Sequence, residues 1–136
     1  MQVIREIVQY QADNGGLEYG TQVFQKRLTT TDATVTPIWE VPIAELEAIA
    51  VTVRLLGKKS DATAAFGSQG LAEARRAAAG NVTVVGTAVT TAREDSAGTP
   101  AITFAADTTA QTLEIRCTGI AAETWHWEAF IQVTKV

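Results

Sequence analysis

The chain is short of the residues that usually do chemistry: it has one cysteine and one histidine in 136 residues. A lone cysteine cannot close an intrachain disulfide, so covalent stapling is excluded as the source of the fold. A lone histidine leaves no His-x-His spacing, and Cys-x-x-Cys is absent as well, so no metal site is expected. No apolar run approaches the ~18 residues of a membrane span. Arg5 and Glu6 fall inside what would be the apolar core of a signal peptide. The expectation is a protein made in a reducing cytoplasm, with no membrane partner. Basic clustering is absent too. The formal net charge is −4, and the pairs Lys26–Arg27, Lys58–Lys59 and Arg75–Arg76 are scattered among acids. A nucleic-acid partner is therefore not expected, because phosphate affinity comes from clustered Lys and Arg. Neither Gly-x-Gly-x-x-Gly nor a lysine-bearing phosphate loop occurs, and no cofactor is expected.

What is present is a hydrophobic fraction of 46%, enough for one core at the length of one domain. From about Leu28 the apolar residues recur in steps of two, the period of a strand. Val35, Pro37, Trp39, Val41 and Ile43 fall on one face of a first segment, whose two prolines suit an edge strand. Ile49, Val51, Val53 and Leu55 form a second stripe, followed by turn residues from Gly57 to Asp61. Val82, Val84, Val85 and Val89 suggest another strand, Ile102 and Phe104 a short one, and Leu113, Ile115 and Cys117 one more. The last stretch alternates most cleanly, with Trp125, Trp127, Ala129, Ile131 and Val133 opposite Thr124, His126, Glu128, Gln132 and Thr134. Recurrent half-buried strands rich in Val and Thr predict an all-β fold, an antiparallel β-sandwich or jelly-roll-like domain over 28–136.

Two segments break the pattern. Leu71 to Ala79, ended by Gly80-Asn81, has helical propensity and a good helix stop. Residues 1–27 are more irregular. Asn14-Gly15-Gly16 interrupts them, and segments 2–11 and 17–26 could pair as a hairpin across that turn. They read as an N-terminal arm whose apolar side chains need a partner surface. Val3, Ile4, Ile7, Val8, Tyr10, Tyr19 and Phe24 are its candidate contact residues. Phe130, on the otherwise polar face of the last strand, joins them as a candidate protein-interface residue.

A search for catalytic groups finds none. Nucleophilic catalysis needs a base held beside a Ser, Thr or Cys, and His126 reads as a surface residue of a strand. Cys117 alternates with Leu113 and Ile115 and reads as a small core residue. Glu94-Asp95, Asp61 and the pair Glu45 and Glu47 are acids of turns and strand ends, with nothing to desolvate one of them for acid–base work. Gly67-Ser68-Gln69-Gly70 suggests a bulge or bend. Trp39, Trp125 and Trp127 share faces with aliphatic residues and read as core rather than as a sugar platform. The expectation is a protein that is not an enzyme.

From Thr29 onward the order of features resembles a β-domain that recurs in virion proteins of tailed bacteriophages, in fibres and in capsid decoration (cement) proteins. The matching stretches are Thr29 to Thr34 leading into Ile38-Trp39, then Val51 to Arg54 running to Gly57 to Asp61. Gly80 to Gly86 follows, with Glu94-Asp95 in the next loop, and Leu113 to Gly119 and Trp125-His126-Trp127 close the pattern. The resemblance implies a β-sandwich that assembles as a homotrimer, with no active-site residues to carry over, and it tilts 71–79 from helix toward strand. A compact domain with a short arm implies a decoration protein on the capsid surface of the virion, made in the bacterial host cytoplasm and binding the major capsid protein. The alternative that it implies is a receptor- or glycan-binding module of a tail or head fibre.

Overall fold

The computed structural model describes residues 20–95 and 98–136. The proposed arm contacts Val3, Ile4, Ile7, Val8, Tyr10 and Tyr19 lie outside the described residues.

Among the described residues nine strands, all antiparallel in their pairings, form two sheets. They are β1 (Gly20–Thr30), β2 (Thr36–Pro42), β3 (Glu47–Lys59), β4 (Ala65–Arg76), β5 (Val82–Val84), β6 (Val89–Glu94), β7 (Ala101–Asp107), β8 (Thr112–Thr118) and β9 (Trp125–Lys135). The larger sheet runs β1-β9-β3-β4, with β5 and β6 sharing the far edge of β4. The smaller sheet runs β2-β8-β7. The protein is the all-β sandwich that the two-residue period predicts. Among the described residues there is no helix, so none is long and apolar enough to cross a membrane.

The core lies between the sheets. In β9, Trp125, Trp127, Ala129, Ile131 and Val133 are all buried, and in β3 so are Ile49, Val51, Val53 and Leu55. Leu113, Ile115 and Cys117 of β8 cover them from the other side. Trp125 and Trp127 stack at 5.6 Å between ring centroids, and Phe66 meets Trp127 edge-on at 5.7 Å. Each buried indole N–H has an acceptor: Trp127 Nε1 donates to Thr30 Oγ1 and Trp125 Nε1 to Glu123 Oε2, both at 2.9 Å. That is how such large amphipathic rings are buried without an orphaned donor.

Several local expectations need correction. In β2 the register slips between Pro37 and Trp39, so Ile38 is an extra residue and points inward. Val35 and Pro37 are exposed in consequence, although Val41 and Ile43 are buried as expected. β2 is an edge strand, the position its prolines require. Gly57 to Lys59 belong to β3, and the turn comes later, with Thr63 donating backbone and hydroxyl hydrogen bonds to Asp61. Gly67 to Gly70 form no bulge: β4 pairs with β3 in unbroken register from Ala65 to Arg76. Val82–Val84 and Val89–Glu94 are two strands rather than one. Residues 71–76 are strand, and Ala77 to Gly80 make the turn.

Residues 20–27, read from the sequence as the end of the arm, run in β1, which pairs with β9 along its whole length, from Gly20 with Lys135 to Thr30 with Trp125. Gln22 and Thr30 are buried on its inner side, where Phe24 and Leu28 also pack against the core.

Candidate functional site

The outward face of the larger sheet is built by strand register. On β9 it carries His126, Glu128, Phe130 and Gln132, since their neighbours are the core residues. Pairing places Gln25 and Arg54 on either side of Phe130, and Arg27 and Leu56 on either side of Glu128. Across β3, Gln69 lies beside Arg54, Gly67 beside Leu56 and Leu71 beside Thr52. On β6, Val89, Thr91 and Arg93 continue those rows. Four large apolar side chains stand open here: Phe130 at 50% exposure, Leu56 at 62%, Leu71 at 43% and Val89 at 62%. Phe130 and Leu56 are diagonal neighbours, and Leu71 faces Val89 directly. The same face bears Arg27, Arg54, Lys58, Arg75 and Arg93 against Glu73 and Glu128, so it is cationic on a chain whose net charge is negative.

Two shallow depressions share Leu56 and Glu128 as a common rim. One is lined by Arg54, Gly67, Gln69, Thr91, Arg93 and Phe130. A Cβ on Gly67 would meet nothing within 4 Å, so the floor is open. The other depression is lined by Arg27, Thr29, Lys58, Ala62, His126 and the edge of Trp127. Within it, Thr29 Oγ1 and His126 Nδ1 are 3.1 Å apart. The two residues are register partners on β1 and β9, and this is the contact that cross-strand pairing alone produces. Activating a hydroxyl needs a third group to orient the imidazole. Among the described residues the ring makes no other side-chain hydrogen bond, and the nearby Glu128 carboxylate accepts from Gln25 and Arg27.

No family model matches the chain, and no curated protein matches it in sequence. Solved structures similar to it include two phage tailspikes. The tailspike protein of Acinetobacter baumannii phage AM24 aligns over 85% of this chain and 28% of its own length, at 8% identity and a TM-score of 0.45. The tailspike protein of Acinetobacter phage vB_ApiP_P1 aligns over 89% of this chain and 23% of its own, at 12% identity and a TM-score of 0.35. The chain thus spans about a quarter of the length of these tailspikes.

Of the residues singled out from sequence, Phe130 lies on this open face, whereas Phe24 faces inward at the margin of the sandwich. There its ring lies 4.3 Å from that of Trp39, and Lys26 Nζ sits 5.0 Å above the same indole. Trp39 is half-buried and Trp125 and Trp127 are buried, so the tryptophans do not line an open groove together. Cys117 is a core residue, and burial pushes its thiol pKa up to about 12. The acids weighed as catalytic pairs are spoken for: Glu47 pairs with Lys135 at 2.6 Å, Glu45 with Arg76 at 3.8 Å, and Asp95 accepts the backbone N–H of Ala65.

Sequence reasoning missed Leu56, Leu71 and Val89 as contact residues, because each looks like a core residue until the parity of its strand is fixed. It also missed an acidic group on the far side of the molecule. Glu40, Asp107 and Glu114 bring carboxylate oxygens within 4.8 Å of one another on the outward face of the smaller sheet. Backbone N–H groups of Ala110 and Thr109 hold the Asp107 carboxyl below the ordinary carboxylate range.

Proposed function

We propose that this domain is a structural module of a bacteriophage virion which binds another protein through the outward face of its larger sheet. The finer reading is a capsid decoration protein, seated on the major capsid protein as a homotrimer. The observation that carries the reading is the mixture on that face: an open aromatic, three open aliphatic side chains and several arginines on neighbouring strands. Aromatic and arginine side chains supply most hot spots of protein interfaces. A patch of this breadth suits a contact near the standard ~800 Å² per partner, and threefold assembly would multiply its strength through effective concentration. The cationic cast of the face selects an acidic partner surface. The succession of sequence features from Thr29 onward supplies the virion context.

The test is the double variant Phe130→Ser, Leu56→Ser. Both side chains are open to solvent, so its melting temperature should stay within a few degrees of the parent. Its occupancy on capsids should fall at least tenfold, and binding by the parent should weaken as salt rises. Full occupancy by the double variant would overturn the reading.

Trp39 favours a second reading, because it is the most exposed of the three tryptophans. As a glycan-binding fibre module, the protein would stack a sugar face on Trp39 with the flexible Lys26 side chain swung off the indole. Loss of glycan binding in Trp39→Ala, with capsid binding absent from the parent, would select that reading.

A further inference from the structure

β8 is the central strand of the smaller sheet, and its odd-numbered residues Leu113, Ile115 and Cys117 are fully buried in the core. Alternation therefore sends Thr112, Glu114 and Arg116 to the opposite, outward face. Register then assembles their neighbours. Glu40 of β2 lies directly across from Glu114, and Asp107 of β7 directly across from Thr112. Three carboxylates converge here, and Arg116 pairs with one of them, its Nε 2.6 Å from Glu114 Oε2. One guanidinium offsets one of three negative charges, and the two left over repel unless something further that is positive joins them. A second observation is independent of the charges. Thr112 is 7% exposed, and its hydroxyl oxygen is buried without a hydrogen-bond partner on the same face as these carboxylates. Buried hydroxyls are nearly always satisfied, so an orphaned one beside a ring of carboxylates calls for an explanation.

We propose that the outward face of the smaller sheet is a calcium-class cation site, with Glu40, Asp107 and Glu114 as carboxylate ligands and the Thr112 hydroxyl as a neutral one. The donors are all oxygen, which suits a hard cation and not a thiolate- or imidazole-seeking metal. Ca²⁺ accepts irregular sets of oxygen ligands, whereas Mg²⁺ demands near-ideal octahedral geometry and keeps several of its waters, so a set of side chains drawn from three strands suits the larger ion. Asp107 is held in place by its turn, with Oδ1 accepting the backbone N–H groups of Thr109 and Ala110 at 2.8 and 2.9 Å. Glu114 is fixed by Arg116, while Glu40 is exposed at the rim and closes on the ion from solvent. Water fills the remaining positions. With one ligand free to move, the affinity belongs in the range of extracellular modules, about 10⁻⁴–10⁻³ M. The proposal does not depend on what the larger sheet binds.

The experiment is calorimetric titration of the EDTA-treated full chain with CaCl₂ up to 10 mM, with melting curves in parallel and MgCl₂ as the comparison. One Ca²⁺ per chain and a calcium-dependent rise in Tm are expected, with a smaller response to Mg²⁺. Glu40→Gln lies at an exposed position and leaves the fold intact, yet it should weaken Ca²⁺ binding at least tenfold, as should Asp107→Asn. Thr112→Val should lose part of the calcium response while melting no lower than the parent in EDTA, because it removes the orphaned hydroxyl. Absence of heat and of any Tm shift at 10 mM Ca²⁺ would overturn the proposal. So would a calcium response that survives Glu40→Gln and Asp107→Asn together. Stability that falls with rising pH and ignores Ca²⁺ would show a proton shared by the carboxylates instead, and would overturn it equally.

Discussion

At Gly57 the backbone of β3 passes under the indole of its register partner Trp127, and a methyl group there would overlap the ring. This glycine serves packing rather than turning. The ring cannot retreat, because Phe66 and Trp125 hold it on two sides and Thr30 accepts its N–H. Gly57→Ala should therefore destabilise the domain by about 1–3 kcal/mol, the cost of overpacking a filled core. Trp127→Ala, which empties the same space, should cost about 3–5 kcal/mol. Denaturant midpoints of the two variants check the pair: an unchanged midpoint for Gly57→Ala would mean that the ring has somewhere to go.

Elements differ in how openly the sequence displays them. β9 and β3 were legible because each buries every second side chain against one core, so parity alone gives the face. β2 was only half legible. Its prolines announce an edge, but the slip at Ile38 is imposed by the pairing with β8 and leaves no local mark. β4 runs against its own propensity. Leu71 to Arg76 would favour a helix in isolation, yet in the fold Ala72 and Ala74 are buried while β3 takes the backbone hydrogen bonds on one side and β5 and β6 share the other. Tertiary context outweighs propensity here, as it commonly does in central strands. A peptide of residues 65–80 should accordingly show helical circular dichroism in mild trifluoroethanol, while amides 71–76 of the intact protein exchange slowly as sheet. A β-type spectrum of the peptide would show that the strand preference is local after all. The acidic cluster was invisible for a related reason: Asp107 and Glu114 share the β7–β8 hairpin, but Glu40 is remote in sequence and only the pairing of β2 with β8 brings it beside them.

For the whole molecule, charge is divided between the two outer faces, cationic on the larger sheet and anionic on the smaller. Acid acts on specific carboxylates as well. Asp32 accepts the backbone N–H of Thr34, Asp61 the hydroxyl and backbone N–H of Thr63, and Asp107 the backbone N–H groups of Ala110 and Thr109, which holds their pKa values below the ordinary one. The unfolded chain therefore takes up these protons first as pH falls. The stabilisation is complete above the ordinary aspartate pKa of about 4 and is lost as pH drops through the lower folded values. Melting temperatures in EDTA should hold steady from pH 7 to 5 and fall below pH 4. Asp61→Asn keeps the turn's carbonyl acceptor but has no charge to lose, so it should flatten part of that slope. An identical acid slope in the variant would assign the effect to other groups.

The place of β9, ninth in chain order yet inserted between β1 and β3, governs when the protein can fold. Of the described strands, a ribosome delivers eight before the one that joins β1 to β3, and with it the two stacked indoles of the core. Until then the inner edges of β1 and β3 lack the strand that they share in the finished sheet, and the smaller sheet lacks the tryptophans it packs against. Completion is thus a late, long-range event, slow by the standards of locally wired domains. The interval before it is when nascent copies are most apt to stick to one another.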